Sequence, residues 1–170
     1  PVKALEDSVA GLRQLARRYP YMDLDRVGII GCDGIAGPVY GLLQHPDFYK
    51  TGVMGALEDA RFQPASIAEM YEGLKSQADN YVAEDLAASL QGNLLLMHGM
   101  LDAATPVAAT FRLIDALQKA NQDFDLLLLP NDGHEISGYA MRRTWDYLVF
   151  HLLGQDPPPE FELITGYELL

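Results

Sequence analysis

Four short apolar runs recur along the chain, and helical patterns rather than tight turns separate them. They are Val27-Gly28-Ile29-Ile30, Thr51 to Leu57, Asn93-Leu94-Leu95-Leu96-Met97-His98 and Phe124 to Pro130. Runs that are apolar at consecutive positions suit strands covered on both faces, and strands joined through helices run parallel. The pattern predicts an α/β fold, a mostly parallel sheet flanked by helices. Leu5, Val9, Leu12 and Ala16 stripe a first helix from Pro1 to Arg18, which Tyr19-Pro20 ends. Ile35 to Gln44 forms a second, stopped by His45-Pro46, and Val107, Phe111, Ile114 and Leu117 stripe a third. A last helix runs from Ser137 to Leu153, terminated by Gly154 and Pro157-Pro158-Pro159. Residues 58–92 carry weaker signals, with helical stretches at Ser66 to Tyr71 and Asn80 to Ser89, and are expected to be an excursion from the sheet.

At 170 residues and 49% hydrophobic, the chain has the size and composition of one globular domain. Its formal charge of -12 repels phosphate backbones and anionic surfaces, so nucleic acid is not an expected partner. No apolar run approaches the roughly 20 residues that span a bilayer, and no membrane partner is expected. Cys32 is the single cysteine, which excludes an intramolecular disulfide framework and a cysteine-only zinc site. The chain starts at Pro1-Val2-Lys3 without a signal-peptide pattern and reads as a fragment or processed product. Gly28, inside the first run, predicts a close approach by a neighbouring element. Met54, Met70, Met97, Met100 and Met141 are read as core filler. The acids Glu58, Asp59, Glu69, Glu72, Asp79, Glu84 and Asp85 are read as a solvated face.

Ligands of open parallel sheets gather at the carboxyl ends of the strands. Just beyond those ends stand Asp33, Asp102 and His134. A strand, then Gly31-Cys32-Asp33-Gly34-Ile35, then a helix, is the context of a nucleophile elbow with Asp33 at its apex. With Asp33 as apex, the backbone N–H of Gly34 is the expected candidate for an oxyanion donor. The order apex, acid, histidine is that of an α/β-hydrolase. Two carboxylates and an imidazole also suit a divalent ion, but no His-x-x-x-His spacing supports one, and no metal or cofactor is predicted. His98 is expected to be a satisfied core histidine, with His45 at a helix end and His151 at the surface.

On these residues the chain resembles the prolyl oligopeptidase family, and within it the dipeptidyl peptidase IV-like members. Arg26-Val27-Gly28-Ile29-Ile30-Gly31 resembles the strand into the family's elbow. His98-Gly99-Met100-Leu101-Asp102 is similar to its His-Gly-x-x-Asp segment, and Asn131-Asp132-Gly133-His134 to the turn with the triad histidine. Leu152-Leu153-Gly154 followed by prolines is similar to the ends of bacterial members. The resemblance implies the carboxyl-terminal portion of an α/β-hydrolase catalytic domain, spanning residues 1–170, and serine-type cleavage of short peptides from the amino end. In the family pattern Gly-x-Ser-x-Gly-Gly, Asp33 stands here where the serine stands, and Ile35 where the next glycine stands. The tyrosines that wall the family's proline pocket have no match in Arg61 to Ile67, with only Tyr71 further on. The family's upstream strands and propeller, which supply the amino-terminus anchor and one oxyanion donor, lie outside this chain.

A carboxylate at the apex is ionised near neutral pH and has no proton to give a histidine, so acyl-serine chemistry is not expected. Cys32 sits one position early to replace the serine. The leading expectation is a degenerate peptidase homologue. The alternatives are a hydrolase with Asp33 as its own nucleophile and a non-catalytic binding or assembly domain. Expected partners are a peptide or small-molecule substrate, if active, and an upstream part of the same polypeptide or a second copy at the Val27–Ile30 edge.

Overall fold

The computed structural model describes residues 2–32, 37–57, 83–135 and 137–161. Four strands form one sheet: β1 (Val27–Cys32), β2 (Tyr49–Gly55), β3 (Asn93–Gly99) and β4 (Asp125–Leu129). Their spatial order follows the chain, β1-β2-β3-β4, and every neighbouring pair is parallel. The helices are α1 (Val2–Arg18), α2 (Gly37–Gln44), α3 (Ala108–Lys119) and α4 (Gly138–Leu148), with a 3-10 helix at Ala83–Ser89 and a π turn at Val149–Leu153. The alternation of strands and helices is therefore as the apolar runs predict. Strand ends differ by one or two residues, because a parallel ladder continues as long as its neighbour offers partners.

Crossovers that all advance in one direction along a parallel sheet fall on one face, because such connections are right-handed. Residues of α1, α2, α3 and the 3-10 helix accordingly share one cluster with Met54, Leu94 and Leu96. On the opposite pleat Val53, Leu95 and Met97 pack with Ala140 and Tyr147 of α4. Alternate residues of β3 thus enter different cores, which is why its sequence shows an unbroken apolar run. Ser137 starts α4 as its N-cap, the hydroxyl oxygen accepting from the Ala140 amide at 3.2 Å. The π turn ends at Gly154, whose φ of 63° closes the helix in the left-handed region.

After leaving β4 the chain crosses back over the sheet. A Cβ at Gly28 would lie 2.8 Å from a Leu152 methyl and 3.2 Å from one of Leu148, the close approach that a glycine in the first strand predicts. β1 itself departs from the expectation of burial on both faces. It is the outer strand of the described sheet, and Ile30 is 49% exposed. The described part of the 58–92 excursion returns to the core, with Ala83, Ala87 and Leu90 buried among α2 and α3 side chains. Residues 58–82, including Ser66 to Tyr71, lie outside the described residues. Met54 and Met97 fill the core, but Met100 is 41% exposed on the turn after β3, because strand periodicity has ended there. His151 is half-buried rather than superficial, its ring centroid 4.2 Å from that of Tyr147. Among the described residues no helix is long and apolar enough to cross a membrane.

Leu96 lies at the centre of the sheet and is fully buried against the helical layer. Leu96→Ala should lower unfolding free energy by about 2–5 kcal/mol, whereas Leu126→Ala, on a side chain 41% exposed, should cost far less. Urea denaturation of the two variants side by side checks the ordering.

Candidate active site

All four strands point their carboxyl ends at one cleft. Cys32 lines it from β1, Gly55 and Ala56 from β2, Met97 to Gly99 from β3 and Leu129 from β4. Gly133, His134 and Glu135 form a further wall. Just after β2, Ala56 has a φ of 47°, a left-handed conformation that interrupts the extended strand.

Two loops leave neighbouring strands and stay joined. Beyond the last ladder pair, the Met100 amide donates to the Leu129 carbonyl at 2.9 Å, and the Leu101 amide to the Asp132 carbonyl at 3.0 Å. At Gly99 the two backbones come so close that a Cβ would collide with the carbonyls of Asp132 and Gly133. Only glycine fits there. This contact holds the turn with Asp102 beside the turn with His134, 32 residues later in sequence, and the Asp102 carboxylate accepts from His134 Nδ1 at 2.9 Å.

The Asp102 side chain is fully buried, while that of His134 is 31% exposed. Burial alone raises a carboxyl pKa; hydrogen bonds from the Thr105 hydroxyl and amide, His134 and the Ala104 amide outweigh it and bring Asp102 down to about 2. Oδ1 accepts from the Ala104 and Thr105 amides, each at 2.8 Å, and Oδ2 from the Thr105 hydroxyl at 2.5 Å. The carboxylate is thus ionised near neutrality and orients the imidazole. A proton on Nδ1, facing that carboxylate, leaves Nε2 free of one, the form in which a histidine accepts a proton.

Of the residues singled out in the sequence, the structure brings Asp102 and His134 together. Asp33 and Gly34 lie outside the described residues; the strand that leads to them ends at Cys32 on the cleft, and α2 begins at Gly37. The metal alternative required Asp33, and among the described residues no group of three or more His, Cys, Asp or Glu side chains is arranged to hold a metal ion. His98 is the satisfied core histidine expected, with Nδ1 2.8 Å from Thr110 Oγ1 and Nε2 2.9 Å from the Thr105 carbonyl. Thr105 escaped the sequence reading. Its signal is local: an Asp whose side chain accepts amides two and three residues on builds an Asx-type turn, and the third residue is this threonine.

The chain matches the prolyl oligopeptidase family over residues 2–155. It belongs to that family. Human dipeptidyl peptidase 8 is 33% identical over 158 residues, covering 88% of this chain and 17% of its own length. The inactive dipeptidyl peptidase 10 of Rattus norvegicus is 29% identical over 152 residues, with 85% and 19% covered. The crystal structure of Porphyromonas gingivalis dipeptidyl peptidase 4 superposes with a TM-score of 0.72 at 28% identity, covering 87% of this chain and 22% of that one. The chain therefore spans about a fifth of the family members it matches. Family membership and the four parallel strands make it a peptidase-like domain of α/β-hydrolase architecture, as the motif order implies.

Two outcomes follow for the paired loops. Gly99→Ala should cost about 1–3 kcal/mol in stability, because the added methyl meets backbone that cannot rotate away, and should separate Asp102 from His134. A crystal structure of the variant checks the separation. The pKa of Asp102 is depressed in the fold from an ordinary 3.8 to about 2. The stability it contributes is therefore present above about pH 4 and lost as the pH falls towards 2. Asp102→Asn should flatten that part of the acid-denaturation curve relative to the parent.

Proposed function

We propose that Asp102 and His134 occupy the acid and base positions of a hydrolase triad, that Asp33 occupies the nucleophile position with the Gly34 amide as an oxyanion donor, and that the protein does not cleave peptides by serine chemistry. The observation that carries this reading is the 2.9 Å contact between Asp102 and His134 at the carboxyl ends of β3 and β4. The parts sit in the order an elbow enzyme needs: a strand ending at Cys32 on the cleft, the segment with Asp33, then α2. A base can activate a serine only by taking its proton, and an ionised carboxylate offers none. The likeness to a dipeptidyl peptidase whose name calls it inactive supports a degenerate member. The ligand expected at the cleft is a short peptide or small molecule.

The retained acid–base pair favours one second reading. His134 lines the cleft and is partly exposed, which supports a role in activating water against an ester formed on Asp33. We also propose that the outer edge of β1, with Ile30 half-exposed beside it, pairs with another segment of a longer polypeptide. The fifth of a relative's length that this chain covers supports that partner. Sizing of the isolated chain should then show self-association through the open edge, whereas a monodisperse monomer counts against it.

Full-length protein incubated with dipeptidyl chromogenic substrates and a fluorophosphonate probe should show neither turnover nor label; a labelled elbow overturns the degenerate reading. Asp33→Ser should gain the label, because in this reading His134 accepts the proton of the new hydroxyl. If the native protein instead turns over an ester in oxygen-18 water, the label entering Asp33 supports the aspartate nucleophile, and turnover without it removes that reading.

A further inference from the structure

We propose that Thr105 is a positioning residue for His134, acting through the carboxylate oxygen they share, and that buried His98 anchors Thr105 from behind. The inference rests on the reading of Asp102 and His134 as an acid–base pair. Thr105 Oγ1 is 2.5 Å from Asp102 Oδ2 and 3.1 Å from His134 Nδ1, while Oδ2 and Nδ1 are 2.9 Å apart. The three polar atoms close a triangle. A carboxylate oxygen can only accept, so the hydroxyl proton points at Oδ2 and the hydroxyl oxygen turns a lone pair towards Nδ1. The proton on Nδ1 then meets two acceptors instead of one, which fixes the tilt of the ring as well as its distance.

Thr105 is itself held at both backbone ends. Its amide donates to Asp102 Oδ1 at 2.8 Å, and its carbonyl lies 2.9 Å from His98 Nε2. A carbonyl cannot donate, so Nε2 carries the proton in that contact. His98 is in turn tied to Thr110, 2.8 Å from Nδ1, and both side chains are excluded from solvent. His98 Nε2 also lies 3.7 Å from Asp102 Oδ2, beyond hydrogen-bond length. Its hold on the pair therefore passes through the Thr105 carbonyl, and the turn from Asp102 to Thr105 is clamped between the buried imidazole of His98 on one side and the partly exposed one of His134 on the other.

The shared oxygen sets the direction of the effect. The hydroxyl withdraws charge from Oδ2, which weakens the attraction between the carboxylate and a protonated His134. The contact from Nδ1–H to Oγ1 exists whether or not Nε2 is protonated, so it largely cancels. Loss of the hydroxyl should raise the proton affinity of His134.

Carbethoxylation of His134 by diethyl pyrocarbonate, followed by peptide mapping in the full-length protein, reads this without any turnover, since the ring is 31% exposed. The midpoint of its rate against pH should rise by about half a unit in Thr105→Val, roughly a threefold change in affinity, and return to the parent value in Thr105→Ser. Thr105→Ala, which leaves space rather than a methyl, carries the same expectation should the valine variant fold poorly. An unmoved midpoint in folded Thr105→Val or Thr105→Ala, or a serine variant that fails to restore it, overturns the inference. Asp102→Asn separates the two levels. If it shifts the midpoint while the Thr105 variants do not, the pair stands and the Thr105 role falls; if it shifts nothing, the pair itself falls and takes this inference with it.

Discussion

The backbone of Gly99 passes against the carbonyls of Asp132 and Gly133 with no room for a side chain, and the geometry of the site depends on that passage. It brings together two turns that the sheet alone would leave merely near each other. The parallel ladder of β3 and β4 aligns the strand ends, and two further amide–carbonyl bonds extend that alignment into the loops. Asp102 and His134 then need only their own turn geometry to meet. Because the contact is between backbones, it depends little on side-chain rotamers, which makes it a stiff support for a hydrogen bond that requires alignment.

Burial of apolar surface decides where the sheet and helices go, and polar satisfaction decides what happens at their ends. Leu94, Leu96, Leu113 and Leu117 are fully buried in the larger core, and burying a side chain of that size is worth about 1.5–3 kcal/mol. That drive is non-directional; it sets layers without setting a proton's position. Asp102 is governed by a different term. A buried carboxylate without partners costs several kcal/mol, and four donors on its two oxygens offset that cost while fixing its plane. The same donors keep it ionised, so structural necessity and the electrostatics of His134 have one origin.

Much of the fold was legible because the apolar runs encode it locally. Leu94 to Met97 alternate between two cores, which leaves no polar gap in the run. The helix after β3 was legible too, but α3 buries Ala109, Thr110, Leu113 and Leu117, and of the expected stripe only Leu117 is fully buried while Phe111 is 42% exposed. Asp102 and His134 were legible through their position just past strand ends and their order with Asp33. Thr105 was not, because its hydroxyl becomes important only where a residue 29 positions later arrives beside it. Met100 was misread for the converse reason: an apolar residue one step past a strand has no ladder to hold it inward, and it faces solvent. β1 was expected to be buried on both faces and is only partly buried, with Ile30 exposed, while its place as the outer strand of the described sheet agrees with the edge expected at Val27–Ile30.

Sequence by itself determined the class of fold and the alternation of elements, since these follow from hydrophobic period and from turn chemistry, and it puts an aspartate, Asp33, where the resemblance to the family expects a serine. The tertiary structure decided which polar atoms share a proton: Asp102 with His134 and Thr105, and Thr105 with His98. Periodicity reports which face of an element is buried, a property of neighbours three or four residues apart. A hydrogen bond across 32 residues depends on two loops arriving within 3 Å of each other, and only the packed strands and the bare backbone at Gly99 bring that about.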